Sequence, residues 1–187
     1  MEEEVQLQLE DTSEKMQKAL LHFEDELLHV RAGKATPTIL DGIVVDYYGA
    51  ITPLSQVSNI STPDGRTIAI QPWDKSMIEV VEKAILAANI GLTPANNGEV
   101  IRLNIPPLTE ERRKNLVKQI KTMGENTRIS IRNARREANE AFKHLKKDGL
   151  EEDMEKEAEL TVQQYTDDSI AKVDKLLEIK EKEIMTV

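Results

Sequence analysis

The fold is decided by residues 109–149, TEERRKNLVKQIKTMGENTRISIRNARREANEAFKHLKKDG, a long stretch without proline. Thr109 is a predicted N-cap, the two glutamates after it suit the positive end of a helix dipole, and Gly149 predicts the helix end. Gly124 is the one internal glycine, and glycine costs about 1 kcal/mol relative to alanine in an exposed helix. The pattern therefore predicts one helix that reaches Lys147.

Two further segments carry helical patterns. In residues 2–30 the apolar positions recur at steps of four and three, which is typical of a coiled-coil seam. These positions are Met16, Leu20, Phe23, Leu27 and Val30. Residues 151–185 carry a similar stripe. Because each of the three helices has a stripe to bury, we expect a three-helix bundle built from residues 1–30 and 106–187.

The segment between the first two helices differs in composition, and residues 31–105 are predicted to form an inserted domain. Strands are expected at Ile43–Tyr48, Leu54–Ile60, Thr67–Gln71 and Val100–Ile105, where β-branched residues are frequent. Ser76 and Glu79 predict a capping box for a short helix that ends near Ala88. The expected fold class is α+β, a long three-helix bundle with an inserted small β/α/β domain.

Composition excludes several classes of function. The 187 residues include no cysteine and three histidines, and no metal-ligand, nucleophile-elbow or phosphate-loop motif occurs. No apolar run approaches the roughly 18 residues of a membrane span, and the acidic start at Met1 is unlike a signal peptide. We therefore expect no enzyme, no catalytic residue, no metal, no cofactor and no membrane contact, and a cytoplasmic location.

The charge is distributed unevenly along the chain. The net charge is −9, yet residues 109–148 hold 12 basic and 6 acidic residues. At about 100° per residue, one arc of the predicted helix collects Arg113, Lys121, Arg128, Arg132 and Arg135. Arginine donates two hydrogen bonds to a phosphate at once, so this arc predicts an RNA-binding face. A solvated face that pairs with the acidic segment 151–187 is the alternative.

Aromatic residues are few, at 3% of the chain. Trp73 follows Pro72 and is expected to pack inside the small domain rather than to stack on a base. Tyr47 and Tyr48 alternate across a predicted strand, so one should point inward and the other could face a partner.

Four strings, in order and spread along the chain, resemble the ribosome recycling factor family. They are VRAGKATP at 30–37, LDGIVVDYYG at 40–49, IPPLTEERRK at 105–114 and IRNARREAN at 131–139. The first and third resemble the two hinge segments of that family, the second resembles the start of its second domain, and the fourth resembles its arginine helix.

The resemblance implies a non-enzymatic factor that splits ribosomes after termination. It implies an L-shaped, monomeric molecule similar to transfer RNA, which binds RNA of the large ribosomal subunit and acts with elongation factor G and GTP. The implied RNA contacts are Arg132 and Arg135 first, and then Arg31, Arg113 and Arg136. Arg128 is predicted as a contact mainly from its place on the helical arc. The implied hinge comprises Arg31, Ala32, Gly33, Lys34, Ala35, Asn104, Ile105, Pro106 and Pro107. A helical adaptor protein and an enzyme in the inserted domain are the minor alternatives.

Overall fold

The structure is a computed structural model that describes residues 1–186. Its helices are α1 (Glu2–Leu28), α2 (Ile78–Ala87), α3 (Glu110–Lys147) and α4 (Glu152–Met185), and its strands are β1 (Val44–Tyr47), β2 (Ala50–Pro53), β3 (Ser58–Asp64), β4 (Thr67–Pro72), β5 (Pro94–Asn96) and β6 (Ile101–Asn104). The chain divides into two compact units, Met1–Val30 with Glu111–Val187, and Arg31–Glu110. The combination of long helices and a small sheet confirms the predicted α+β class.

The first unit is formed by α1, α3 and α4, which all contact one another. Met16 of α1 accepts a hydrogen bond from the hydroxyl of Ser169 on α4, and Lys15 of α1 binds Glu137 of α3 at 3.1 Å. The predicted coiled-coil seam of α1 is buried from Met16 to Leu27. Its apolar stripe is therefore used inside the unit, as a bundle requires.

Helix α3 ends at Lys147, just before Gly149, as the sequence predicted. Gly149 has a φ of +111°, which residues with a Cβ rarely adopt. Its N–H donates to the carbonyl of Lys146, and the N–H of Leu150 donates to the carbonyl of Leu145. This pair of bonds is a Schellman motif, and the buried Leu150 packs against the bundle core after it. The motif turns the chain directly into α4.

The second unit contains an antiparallel sheet with the strand order β3-β4-β6-β5 and a separate β1–β2 hairpin. Helix α2 packs against this unit through Ile78, Val81 and Ile85, which are buried in its apolar core. Strands β4 and β6 contribute Ile68, Ile70, Ile101 and Leu103, all fully buried. Alternating inward positions on the central strands thus meet one face of α2.

Four local predictions for this unit were wrong. One of Tyr47 and Tyr48 was expected to point inward, but both side chains are exposed. Leu54–Gln56 forms a 3-10 turn after Pro53, so the expected strand starts only at Ser58. The capping box of Ser76 and Glu79 does not form, since α2 has no side-chain cap. Asp74 instead caps the 3-10 turn Lys75–Met77 before α2, and its carboxylate accepts hydrogen bonds from the N–H and the hydroxyl of Ser76. The predicted inward packing of Trp73 is also wrong, since its side chain is exposed.

Candidate nucleic-acid interface

The candidate interface lies on α3, whose buried side sets the direction of every other side chain on this helix. The buried residues are Leu116, Ile120, Gly124, Thr127, Ile131, Ala134, Ala138 and Phe142. Positions eleven residues apart lie about 20° apart around a helix. The buried Gly124 is therefore a close angular neighbour of Arg135, and the arginine arc borders the core more closely than the sequence pattern predicted.

Helix α4 crosses α3 closely at that glycine. A Cβ built on Gly124 would lie 2.6 Å from Cδ1 and 3.2 Å from Cγ of Leu177. The absence of a side chain at this position therefore lets the two helices approach. One turn further along, the approach brings Arg128 of α3 to Asp174 of α4.

Arg128 is held by carboxylates on both sides. Its guanidinium donates to Asp174 and, at 3.2 Å, to Glu125, and its side chain is only 20% exposed. The hydrogen bond to Asp174 raises the pKa of Arg128 by more than partial burial lowers that pKa. Its charge is already compensated within the unit, so among the predicted contacts Arg128 has the weakest case for binding phosphate.

Arg113 and Lys121 are also engaged by α4. Arg113 lies at the edge of the buried face and donates to the carbonyl of Ile184 at 3.2 Å. Lys121 pairs with Glu181 at 3.7 Å, and both side chains are largely solvated. This part of α3 therefore fits the alternative prediction, in which the basic residues of α3 pair with the acidic segment 151–187.

The second half of α3 is different. Arg135 donates to the neutral side chain of Gln163 at 3.3 Å, and Arg136 donates to the neutral side chain of Asn133. Arg132 is exposed and makes a 3.4 Å contact with Glu125, which it shares with Arg128. Among the described residues, no carboxylate lies within ion-pair distance of Arg135 or Arg136. Their positive charges remain available to an anion.

Four lysines extend this available charge, and the sequence reasoning missed them. Lys114, Lys118, Lys143 and Lys147 are exposed, and none forms an ion pair with a described residue. At about 100° per residue they lie within about 60° of Arg132 and on its side of α3. We call Lys114, Lys118, Arg132, Arg135, Arg136, Lys143 and Lys147 the cationic row. If Gly124 and Thr127 had been counted as core positions, the predicted core face would have pointed away from these lysines, and the cationic row would have been predicted.

The predicted hinge residues are tied to one turn of the second unit. The N–H of Ala35 donates to the carbonyl of Gly65 at 2.9 Å, and the N–H of Ile105 donates to the carbonyl of Arg66 at 2.8 Å. Both predicted hinge segments are therefore hydrogen-bonded to the same turn. Gly33 has a φ of +74°, and an added Cβ would contact the side chain of Leu108 at 3.0 Å.

Arg31 lies at the start of the same segment. Its guanidinium donates to the carbonyl of Ile90 at 2.5 Å, just after Asn89, which has a φ of +50°. This bond anchors the loop that follows α2, so Arg31 has a structural contact in addition to its predicted roles in RNA binding and in the hinge.

Within residues 1–186, no group of three histidine, aspartate or glutamate side chains is arranged to hold a metal ion. None of the helices described between residues 1 and 186 has the length and hydropathy needed to cross a bilayer.

The sequence is similar to those of known proteins over most of its length. Residues 23–185 match the family model described as "Ribosome recycling factor". The ribosome-recycling factor of Flavobacterium johnsoniae is 54% identical over 187 residues, covering 100% of both chains, and that of Bacteroides fragilis is 54% identical over 179 residues, covering 96% of each.

Two solved structures are similar over almost the whole chain. A solution structure of the ribosome recycling factor has a TM-score of 0.83 and 38% identity, covering 98% of each chain. The Thermus thermophilus factor, from a structure with Escherichia coli elongation factor G bound to the post-termination complex, has a TM-score of 0.64 and 44% identity, covering 97% of this chain and 98% of that one.

Proposed function

The chain belongs to the ribosome recycling factor family, and we propose that it binds the large subunit of the post-termination ribosome through the cationic row of α3. The protein is a non-enzymatic translation factor of that family. With elongation factor G and GTP it separates the subunits, and it does so in the cytoplasm, where bacterial ribosomes work. Support for these partners comes from the Thermus thermophilus relative, which is bound together with elongation factor G to a post-termination complex.

The observation that carries the RNA contact is the difference between the two halves of α3. Arg128 is neutralised by Asp174 and Glu125, whereas Arg135 and Arg136 have neutral partners. A phosphate that approaches Arg135 or Arg136 replaces an uncharged acceptor, and it does not have to displace a carboxylate. Charge-assisted bonds of this kind are roughly twice as strong as neutral ones.

The hinge belongs to the same proposal. Elongation factor G moves the predicted inserted domain, residues 31–105, about the two predicted crossings at Arg31–Ala35 and Asn104–Pro107, while the predicted bundle of residues 1–30 and 106–187 stays on the RNA. Two connections that lie beside each other can absorb such a rotation without breaking the core of either unit.

The test is binding to purified large subunits as a function of potassium chloride. We expect the double variant Arg135→Ala, Arg136→Ala to lose about tenfold in affinity per arginine. The slope of log affinity against log salt should become shallower by about 1 for each contact removed. Circular dichroism should show unchanged helicity, since alanine favours a helix.

The matched control removes the same charge from α4. Lys172→Ala, Lys175→Ala changes two exposed lysines that make no ion pair with a described residue. It should leave the salt slope unchanged. Equal losses in the two double variants would mean that net charge, and not the cationic row, governs binding. Light scattering of post-termination ribosomes with elongation factor G and GTP tests the recycling step directly.

A further inference from the structure

The aromatic side chains of the second unit are exposed. The chain has one tryptophan, three tyrosines and two phenylalanines, and both phenylalanines are fully buried in the first unit. Tyr48 is 75% exposed, Trp73 is 70% exposed and Tyr47 is 38% exposed. We call Tyr47, Tyr48 and Trp73 the aromatic patch. Exposed aromatic clusters of this kind are typical of binding surfaces.

The hairpin turn holds Tyr48 outward. Tyr48 and Gly49 connect β1 to β2 and have φ values of +50° and +88°, as a two-residue type I′ turn requires. Asparagine is the usual first residue of such a turn, and a tyrosine there has a strained backbone. Because the ring of Tyr48 is not buried, packing gives no reason for a tyrosine at this position.

Hydrogen bonds join the turn to the segment that carries Trp73. The hydroxyl of Tyr48 donates to the carboxylate of Asp74, the neighbour of Trp73. The rings of Tyr47 and Tyr48 meet edge to face, with their centres 4.8 Å apart. Tyr47 and Tyr48 are thus tethered to the carboxylate of Asp74, which directly follows Trp73 in the chain.

Carboxylates accompany the patch. Asp46 accepts a hydrogen bond from the N–H of Gly49 at 2.8 Å, and Asp74, next to Trp73 in the chain, accepts the bond from Tyr48. The pKa of Asp74 is lowered because the hydroxyl of Tyr48 and then Ser76 donate to it, so it is ionised at neutral pH. The neighbouring Lys75 is occupied by Glu99 at 2.9 Å. The patch is therefore both aromatic and acidic.

We propose that the aromatic patch is a docking surface for an arginine-bearing segment of a partner protein. A guanidinium can stack on an exposed tyrosine or tryptophan ring and pair with a carboxylate such as Asp74 in the same contact. The same carboxylates repel phosphate, so the patch favours protein over nucleic acid. The proposal concerns the second unit alone and does not depend on the RNA contacts of α3.

Trp73 provides the readout, because it is the only tryptophan in the chain. The full chain would be titrated with a nonapeptide of alternating arginine and glycine, with its lysine and glutamine counterparts, and with hexauridylate. We expect saturable change in Trp73 emission with the arginine peptide. Affinity for the lysine peptide should be about two- to fivefold weaker per cation. The glutamine peptide and hexauridylate should leave the emission unchanged.

Amide chemical shifts locate the binding. The arginine peptide should move the resonances of Tyr48, Gly49 and Asp74 in the wild type. Tyr48→Ser and Asp74→Asn should each abolish most of that response. Leu86→Ser, which changes an exposed apolar residue of the same unit, should retain it. Well-dispersed spectra verify that each variant is folded.

Three outcomes would overturn the proposal. Equal binding of the arginine, lysine and glutamine peptides would show a non-specific surface. Shifts of the same amides by hexauridylate would show a nucleic-acid site. Shifts confined to the acidic face of α4 would show that net charge alone attracts the peptide. None of these outcomes bears on binding of the large subunit by α3, so the two proposals fail separately.

Discussion

Gly124→Ala should destabilise the protein, although alanine is the better helix former. The substitution gains about 1 kcal/mol of helix propensity. The new methyl group, however, would lie 2.6 Å from Cδ1 and 3.2 Å from Cγ of Leu177. Rotating the end of the leucine side chain relieves the first contact but not the second, so part of α4 must move. Overpacking of this kind costs typically 1–3 kcal/mol, and we expect a net loss of about 1 kcal/mol.

The sign should reverse when Leu177 is shortened. Leu177→Ala alone removes a buried side chain and should cost about 2–5 kcal/mol. In that background Gly124→Ala meets no obstacle and fills part of the cavity. It should then stabilise the protein by about 1 kcal/mol, the helix-propensity term. The two substitutions are therefore expected to be strongly non-additive.

Urea unfolding of the four proteins in this cycle gives the measurement. Asn126→Ala, on the exposed side of α3, serves as the control and should change stability by a few tenths of a kcal/mol in the favourable direction. A stabilised Gly124→Ala in the wild-type background would refute the close approach of α3 and α4. Additive effects would refute the contact with Leu177.

Two further perturbations concern ionisable groups. Glu155 is buried and pairs with Lys146 at 2.5 Å, and this pairing raises the pKa of Lys146. Lys146→Met should lower the thermal midpoint more than Glu155→Gln, because Lys146→Met leaves a buried carboxylate without its cation. A larger loss for Glu155→Gln would contradict this pairing. Asp74 has a lowered pKa, so the stability it contributes is present above its unfolded pKa and is lost as pH falls through its folded pKa. Trp73 emission should therefore titrate with a midpoint below the ordinary aspartate value of about 3.9, and a midpoint above that value would contradict the hydrogen bond from Tyr48.

Helix ends were predictable because their signals are local. The chain from Thr109 to Gly149 was predicted as one helix, and α3 occupies Glu110–Lys147 with Gly149 in the left-handed conformation. Short strands were not predictable in this way. Pro94–Asn96 forms β5 although its sequence has no strand pattern, because its hydrogen bonds come from β6. Pairing with a neighbouring strand outweighed local preference.

The exposure of Trp73 was predictable from the sequence. Ile68, Ile70 and Pro72 of β4 are buried at alternate positions, so the residue after Pro72 is directed outward. Strict alternation would have predicted the exposed ring, whereas the general expectation that tryptophan is buried did not.

The partners of the arginines lay beyond sequence reasoning. Arg128 meets Asp174, and Arg135 meets Gln163, only because α4 packs against α3 in one register. That register depends on the contact of Gly124 with Leu177. A charge count over the two helices could predict that some arginines would be neutralised, but not which of them. Whether Arg132, Arg135 and Arg136 bind RNA stays a prediction until the salt series is measured.

The turn at Gly65 and Arg66 has a consequence for how this chain can be altered. Ala35 and Ile105 both donate hydrogen bonds to carbonyls of that turn. The segment between them therefore begins and ends at the same turn. We therefore expect that a short linker of glycine and serine residues can replace residues 35–105 and still join α1 to α3. Such a deletion variant would show whether the bundle alone retains the proposed binding to the large subunit.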